Sequence, residues 1–343
     1  KNGYITLTNT GSAPLSITNL VIGGTNANQF KRVSTPDSST FGSITLQPAE
    51  SYTFTFSFTP TSPGAKTGNV TFTHGLGTSV VNLIGTGLAA DISINPTSIN
   101  FGDVILNNSK DAVLSITNKG NAPLTITKFE LSGLDMAMFQ RFSSPDSQNI
   151  QITLNPAQTY TITLRFIPTT TGAKTATLKI RNSVSDVDVS LTGNGIAGGA
   201  TLDPLPLNFG NVRVNTSKIA TIKITNSGQA PLNISKIDIT DKTFFTLPDN
   251  PAGTSLAPGA SLTVRIQFLP TSIGLKNATF EVTHDAPGGK SSAQITGTGI
   301  YPAITITPSP ELNFGDVNIG STKDLTLQVT NSGTDTLNVS SII

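Results

Sequence analysis

The chain repeats itself about every 105 to 109 residues, and this period constrains the fold more than any other feature. The string Thr-Asn-x-Gly-x-x-Pro-Leu occurs three times, and a fourth copy has Thr336 in place of the proline. Its asparagine falls at positions 9, 118, 226 and 331, so the spacings are 109, 108 and 105 residues. A fixed period of this length indicates tandem domains, each close in size to an immunoglobulin-type sandwich.

Three further motifs keep the same order and period. Asn-Phe-Gly begins at residues 100, 208 and 313, Phe-x-Pro-Thr-x-x-Gly-x-Lys at 58, 166 and 268, and Gly-x-Gly at 85, 193 and 297. The predicted bounds are 1–88 for a repeat that lacks its first strands, 89–197 and 198–300 for two full repeats, and 301–343 for the start of a fourth. Linkers at 87–91 and 195–201 are short, which favours a semi-rigid rod.

Inside a repeat, apolar residues alternate with polar ones over seven or more positions, as they do from Tyr160 to Phe166. Strict alternation is typical of a strand with one buried face. The charged fraction is only 12%, and threonine, a β-branched residue that suits sheets, is frequent. In the second repeat the pattern predicts a core of Leu114, Ile116, Ile162, Leu164, Phe166, Leu178 and Leu191.

Turn signals interrupt the apolar runs about every 8–15 residues, so each repeat is predicted to be an all-β sandwich of seven or eight strands. We expect the glycine of Thr-Asn-x-Gly to have a positive φ, because turns often require it. The Gly-x-Gly strings follow strands and do not open helices, and we expect them to be turns. Only residues 26–30 and 135–139 suggest helix, one turn each.

The order of these motifs resembles the choice-of-anchor D repeats of bacterial surface proteins, which are related to the ASH (abnormal-spindle and hydin) immunoglobulin-like domains. The resemblance covers essentially the whole chain, although the second repeat has Gly-Asn-Gly at residues 193–195. It implies tandem immunoglobulin-like β-sandwiches. Bacterial members resemble secreted, cell-surface or appendage proteins, and eukaryotic members look like scaffolds of cilia and centrosomes.

Composition argues against several classes of function. The net charge of +1 gives no basic surface for nucleic acid. Without cysteine, thiol nucleophiles, disulfides and cysteine-based metal sites are excluded. The sequence has no apolar run long enough for a membrane-spanning helix. It also lacks a Gly-x-Ser-x-Gly elbow, a phosphate-binding loop and a calcium loop.

The candidate chemical groups have simpler structural interpretations. His74 and His284 occupy equivalent positions where the second repeat has Asn182, and we interpret them as solvated turn residues and not metal ligands. Three aspartates follow a proline and are expected to form Asx turns: Asp37, Asp146 and Asp249. Asp103 and Asp316 follow Asn-Phe-Gly, at a position where the third repeat has Asn211.

Two kinds of modification are possible on the sequence. The recurrent Lys110, Lys218 and Lys323 could form an isopeptide with asparagine, but an exposed lysine on an edge strand is the preferred interpretation. Six asparagines begin Asn-x-Ser/Thr sequons, which glycosylation could use. They are Asn69, Asn107, Asn215, Asn233, Asn277 and Asn338.

No catalytic, cofactor-binding or metal-binding residue is therefore assigned, and no cofactor is expected. The leading hypothesis is a non-catalytic, extracellular or cell-surface protein of a bacterium: a stalk, an adhesin shaft or a filament subunit. Its expected partners are copies of itself or neighbouring repeats in a fibre, with a surface protein or glycan also possible. A glycan- or protein-binding adhesion module and an intracellular ciliary or centrosomal scaffold remain alternatives.

The ends of the sequence raise one more expectation. Lys1 aligns with Lys110, so the first repeat is expected to expose an unpaired sheet edge and an open core. Preceding residues of a longer chain could close it, which is the favoured interpretation. Alternatively, residues 304–306 and 313–317 of another molecule could supply the strand.

Overall fold

A computed structural model describes residues 1–33, 42–142, 149–249 and 251–343. Its regular secondary structure is almost entirely β-strand, arranged in seven sheets. Two compact units divide the chain. One comprises residues 1–102, 109–167 and 173–193, and the other comprises residues 103–108, 168–172 and 194–343.

The described residues of the first sandwich form seven strands. They are β1 (Asn2–Thr8), β2 (Leu15–Gly23), β3 (Phe30–Arg32), β4 (Ile44–Leu46), β5 (Ser51–Phe58), β6 (Gly64–His74) and β7 (Gly77–Gly87), with a 3-10 turn at Ala27–Gln29. One sheet has the order β1-β5-β3 and the other β4-β2-β6-β7. Strands β1 and β7 therefore lie at sheet edges.

The second sandwich adds two strands before the counterpart of β1. Its strands are β8 (Ile92–Asn95), β9 (Ser98–Ile105), β10 (Lys110–Asn118), β11 (Leu124–Ser132), β12 (Phe139–Arg141), β13 (Asn149–Leu154), β14 (Thr159–Phe166), β15 (Gly172–Asn182) and β16 (Val187–Ile196), with a 3-10 turn at Met136–Met138. The sheet orders are β12-β14-β10-β8 and β13-β11-β15-β16-β9. The edges that β1 and β7 leave open are here covered by β8 and β9.

The third sandwich repeats this plan. Its strands are β17 (Ala200–Asp203), β18 (Leu207–Arg213), β19 (Lys218–Asn226), β20 (Leu232–Ile239), β21 (Phe245–Thr246), β22 (Thr254–Leu256), β23 (Ser261–Phe268), β24 (Gly274–His284) and β25 (Lys290–Ile300). The sheet orders are β17-β19-β23-β21 and β18-β25-β24-β20-β22. Residues 301–343 add one pair, β26 (Ile304–Thr307) with β27 (Gln328–Asn331).

The predicted all-β fold is confirmed, but the strand count is higher than expected. The described residues of the second and third sandwiches form nine strands each, because the region after β11 and β20 forms an extra short strand beside β14 and β23 respectively. Both suggested helical turns are present as 3-10 turns of three residues.

The predicted core of the second repeat is buried throughout. All seven predicted residues are at most 1% exposed, as alternation on a half-buried strand requires. Phenylalanines from three strands meet at its centre: the ring centroid of Phe101 lies 5.8 Å from Phe139 and 5.6 Å from Phe166. The third sandwich has the same triad in Phe209, Phe245 and Phe268.

The Asn-Phe-Gly motif is a β-bulge. Gly210 has φ +67°, its amide donates to the side chain of Asn208 over 2.7 Å, and the register of β18 against β25 shifts at this point. Lys218 donates from Nζ to the Phe209 carbonyl oxygen over 2.7 Å. The recurrent lysine is exposed as expected. At Lys218 strand β19 pairs with β23, whereas β17 pairs only with Lys223 to Asn226 at the other end of the strand.

The Gly-x-Gly strings are not turns, as the sequence interpretation expected, but lie inside strands β7, β16 and β25. A β-carbon at Gly193 would lie 2.5 Å from the Phe166 ring, and Gly297 has the same relation to Phe268. The glycine is needed because an aromatic ring occupies the space that a β-carbon would fill. Close approach, and not a bend, explains this part of the repeat.

Candidate functional site

The asparagine of Thr-Asn-x-Gly is a buried polar centre in each sandwich. Asn118 is 0% exposed and donates from Nδ2 to the carbonyl oxygens of Ala122 (2.8 Å) and Leu154 (2.9 Å). Its Oδ1 accepts from the amides of Gly120 (2.9 Å) and Asp91 (3.4 Å). Asn therefore satisfies both of its polar atoms in the core, as a buried amide must.

The third sandwich repeats these contacts. Asn226 is also 0% exposed and donates to Ala230 and Leu256 over 2.9 and 2.8 Å. Its Oδ1 accepts from Gly228 and from Gly199 over 2.9 and 3.1 Å. In both sandwiches, the last of these donors belongs to the linker that precedes the domain.

The linker pairs with this loop through its backbone as well. The Lys119 amide donates to Asp91 over 2.9 Å, and the Asn121 amide donates to Ala89 over 2.9 Å. At the third repeat, Ser227 and Gln229 donate to Gly199 and Ala197, and at the fourth, Ser332 and Thr334 donate to Ala303 and Tyr301. Each linker is therefore held as if it were a short added strand.

The glycine of Thr-Asn-x-Gly gives the linker room to pass over the loop. The prediction that this glycine has a positive φ is wrong. Glycines 11, 120, 228 and 333 are absent from the positive-φ residues. A β-carbon at Gly120 would overlap the Ala89 carbonyl oxygen and lie 2.5 Å from the Asp91 nitrogen. By contrast, the nearest atom at Gly11 is 3.3 Å away. Glycine is required because the linker backbone passes directly over the loop.

Asn121 adds a contact that the sequence analysis missed. Its Oδ1 accepts from the Ala89 amide over 2.9 Å, and its Nδ2 donates to the Gly87 carbonyl over 2.8 Å. Gly87 is the last residue of β7 and Asn121 lies between β10 and β11. The third repeat has Gln229 and the fourth has Thr334 at this position, so the sequence shows polarity there without its purpose.

The first sandwich carries an open groove of about 910 Å³. It lies along the free edges of β1 and β7, where the second sandwich has β8 and β9 and the third has β17 and β18. Its apolar lining includes Ile5, Phe30, Phe58, Val81 and Leu83.

Both histidines make a hydrogen bond to a serine near the end of a strand. His74 Nε2 lies 3.1 Å from Ser79 Oγ, and His284 Nε2 lies 3.0 Å from Ser291 Oγ. At the equivalent position of the second repeat, Asn182 donates from Nδ2 to the Ser185 carbonyl oxygen over 2.6 Å. The interpretation as a solvated residue is wrong for His284, which is 7% exposed. In the described part of the chain, no three His, Asp or Glu side chains are grouped to hold a metal.

The aspartates that the sequence singled out have different partners in the structure. Asp37 and Asp146 lie outside the described residues. The Asp249 carboxylate accepts two hydrogen bonds from Arg265 over 2.7 and 2.9 Å, so it forms an ion pair. The Asp103 carboxylate accepts a hydrogen bond from the side-chain Nδ2 of Asn194 over 2.8 Å.

Two of the sequon asparagines have a structural role. Asn107 and Asn215 have φ of 63° and 64°, a left-handed conformation that asparagine tolerates better than most residues. Their amides donate to Pro168 and Pro270 over 2.8 Å. The left-handed conformation gives a structural reason for asparagine at both positions, and glycosylation stays a prediction.

Ion pairs on the surface shift several carboxyl groups. Hydrogen bonds from Lys236, Lys242 and the Ile239 amide hold the pKa of Asp238 well below its usual range. Arg165 similarly lowers the pKa of Asp111 by a side-chain hydrogen bond. These groups are paired and solvated, so their shifts are typical of structural ion pairs.

Models of two domain families match the chain. The model of Cep192 domain 4 matches residues 89–196, and the HYDIN/CFA65/VesB-like, Ig-like domain model matches residues 201–298. The second and third sandwiches are therefore similar to immunoglobulin-like domains of these two families, in agreement with the predicted fold. No curated protein sequence matches the chain. None of the helices described is both long and apolar enough to cross a membrane.

Solved structures include several distant likenesses. A Porphyromonas gingivalis protein of unknown function is 16% identical over 60% of this chain and 99% of its own, with a TM-score of 0.27. The ASH/PapD-like domain of human CEP192 is 13% identical over 30% of this chain and 87% of its own, with a TM-score of 0.26. The VesB protease of Vibrio cholerae is 17% identical over 29% of this chain and 31% of its own, also at 0.26.

Proposed function

We propose that the chain is a non-catalytic structural protein of a bacterial cell surface, of the choice-of-anchor D kind. It would serve as a rod-like stalk, an adhesin shaft or a filament subunit. The supporting observation is the way that the linkers are held. The residues before the second, third and fourth repeats all pair with the next Thr-Asn-x-Gly loop. A linker fixed by several backbone hydrogen bonds has few conformations, which suits a spacer that must transmit force or hold a distance.

The surface chemistry supports the same role. The exposed faces of the sheets are rich in hydroxyl groups that pair across strands, such as Thr117 with Thr159 at 2.8 Å and Thr225 with Ser261 at 2.9 Å. Such pairs add to sheet stability without using charge. Polar side chains such as Asn118 and Asn121 hold the linker by hydrogen bonds, which suits a structural role.

Small-angle X-ray scattering of residues 1–343 tests the shape. Three sandwiches in series should give a maximum dimension on the order of 120 Å, from strands of about ten residues plus loops. A compact globular profile would reject the serial arrangement. As a control for the linker argument, Gly120→Ala should broaden the distance distribution, whereas Gly11→Ala should leave it unchanged.

An antibody against the chain tests the location. Labelling of intact bacterial cells at the level of lysed cells would support the surface role. Labelling only after lysis would reject it and favour an intracellular scaffold. Binding to a glycan array through the loops would instead favour an adhesion module.

A further inference from the structure

The outer face of strands β2, β6 and β7 in the first sandwich carries no charge at six neighbouring positions. These positions form two rows, each of which crosses the three strands in register. The rows are Asn19, Thr73 and Thr78, and Val21, Thr71 and Val80. We call these six residues the neutral face.

The corresponding positions of the other sandwiches are charged, although charged residues make up only 12% of the chain. In the second sandwich all six are charged, and in the third four are. The second has Lys128, Glu130, Lys179, Arg181, Asp186 and Asp188, and the third has Lys236, Asp238, Glu281 and Lys290. Charges on the outside of a sheet oppose the stacking of another sheet, because each charge would lose its hydration. The first sandwich lacks this protection.

The strands that precede β10 in the second sandwich do not cover this face. Strands β8 and β9 join the edges of their sheets, beside β10 and β16. The six charged side chains are still 28–55% exposed in that sandwich. The outer face therefore stays in solvent where both strands are present. In the first sandwich this leaves Val21 and Val80 exposed by 52% and 59%.

The neutral face is complementary to itself. Strand β6 is the middle strand of the three, and its Thr71 lies between Val21 and Val80. A two-fold axis along β6 would place Val21 of one copy on Val80 of another, and Thr71 on Thr71. The other row would pair Asn19 with Thr78. Apolar groups thus meet apolar groups, polar groups meet polar groups, and no like charges approach each other, as an isologous contact requires.

We propose that the neutral face binds the neutral face of a second copy of this chain, with the two sheets packed face to face about a two-fold axis along β6. The contact is weak, because a standard stable interface uses about 20–30 residues on each side. It closes on itself, so it joins chains in pairs, side by side. The pairing extends the proposed structural role, and its failure would leave the scattering and antibody tests of that role unaffected.

Sedimentation equilibrium of residues 1–343 measures the association, over a concentration series that extends to roughly 1 mM. The protein is produced without glycosylation, because the sequon of Asn69 includes Thr71. Val21→Glu should weaken the association at least about tenfold, because the carboxylate would be buried against Val80 of the other copy. Val113→Glu is the matched control and should change nothing. Val113 is 57% exposed on the outer face of a different sheet.

Mixing of two variants tests the symmetry of the contact. Val21→Glu and Val80→Lys should each associate poorly alone, whereas their mixture should form a heterodimer in which the new carboxylate meets the new ammonium group. A mixture of Val21→Glu with Val21→Lys should not associate, because these two positions do not face each other across the axis. This comparison needs no assumption about folding, since both valines are exposed.

Cross-linking locates the axis. The chain has no cysteine, so Thr71→Cys introduces a single thiol. A short bismaleimide should join two such chains, because facing sheets lie about 10 Å apart. Thr6→Cys, on the outer face of β1, should not be joined, although Thr6 is the more exposed of the two.

Four results would overturn the proposal. They are no association at roughly 1 mM, association that Val21→Glu leaves unchanged, equal association in the two mixtures, and equal cross-linking at positions 71 and 6.

Discussion

Gly120 lies beneath the linker residue Ala89 so closely that any β-carbon at this position would overlap the Ala89 carbonyl oxygen. The same relation joins Gly228 to Ala197. The first repeat has the same motif without this contact, since the nearest atom to a β-carbon at Gly11 is 3.3 Å away. One motif thus has two environments in one chain, which makes its role testable.

Replacing Gly120 by alanine should release the linker and destabilise the second sandwich by about 1–3 kcal/mol, as for other overpacked sites. Limited proteolysis should then cut between residues 87 and 91 faster than in the parent chain. Gly11→Ala is the matched control, and it should leave both measurements nearly unchanged. Equal effects of the two substitutions would contradict the assigned role.

Asn118→Ala should cost about 3 kcal/mol or more, because Ala122, Leu154 and Gly120 lose their hydrogen-bond partner. Hydrogen exchange of the β10 amides measures the loss of stability within the second sandwich. Asn331 has the same motif position but is exposed, so Asn331→Ala should cost less than about 1 kcal/mol. A small effect at Asn118 would show that the loop does not need its buried amide.

Phe166→Ala should destabilise the second sandwich by about 3–5 kcal/mol, the usual cost of removing a buried aromatic ring. Phe166 is fully buried between Phe101 and Phe139. Phe58→Ala in the first sandwich should cost less, because that ring is already partly exposed. Chemical denaturation, monitored by hydrogen exchange of the amides in each sandwich, distinguishes the effects of the two substitutions. A melting temperature within a degree or two of the parent for Phe166→Ala would contradict the core assignment.

Ala157→Gly should stabilise the second sandwich by up to about 1 kcal/mol. Ala157 has φ +65°, a left-handed conformation in which a β-carbon is strained. The third sandwich already has Gly259 at this position, with φ +77°. The reverse change, Gly259→Ala, should be destabilising by a similar amount. Thermal unfolding measures both, and destabilisation by Ala157→Gly would refute the strain argument.

Acid should weaken the ion pairs of the third sandwich. The lysine hydrogen bonds lower the pKa of Asp238, so the folded state holds its proton less tightly than the unfolded chain. The stabilising contribution is fully present above the ordinary aspartate pKa of about 3.9, and it decreases as the pH falls below that value. Titration of Asp238 should therefore change the melting temperature little between pH 8 and about pH 5. Asp238→Asn should reduce the loss below pH 4, and an unchanged pH profile would exclude this contribution.

The sequence by itself determined which faces of the strands are buried. Alternation from Tyr160 to Phe166 has the period of a strand, so Ile162 and Leu164 had to share one face, and both are 1% exposed. The repeat period likewise determined that the same sandwich would occur again. These properties are local or periodic, and the residues that reveal them lie within one segment.

The tertiary structure decided why the glycines recur. Gly120 serves a linker that lies about thirty residues earlier in the chain, and Gly193 serves a ring contributed by Phe166 on another strand. Sequence reasoning interpreted the first as a positive-φ residue and the second as a turn, because a glycine has no side chain to indicate what approaches it. Only the folded chain brings the two backbones, or the ring and the strand, into contact.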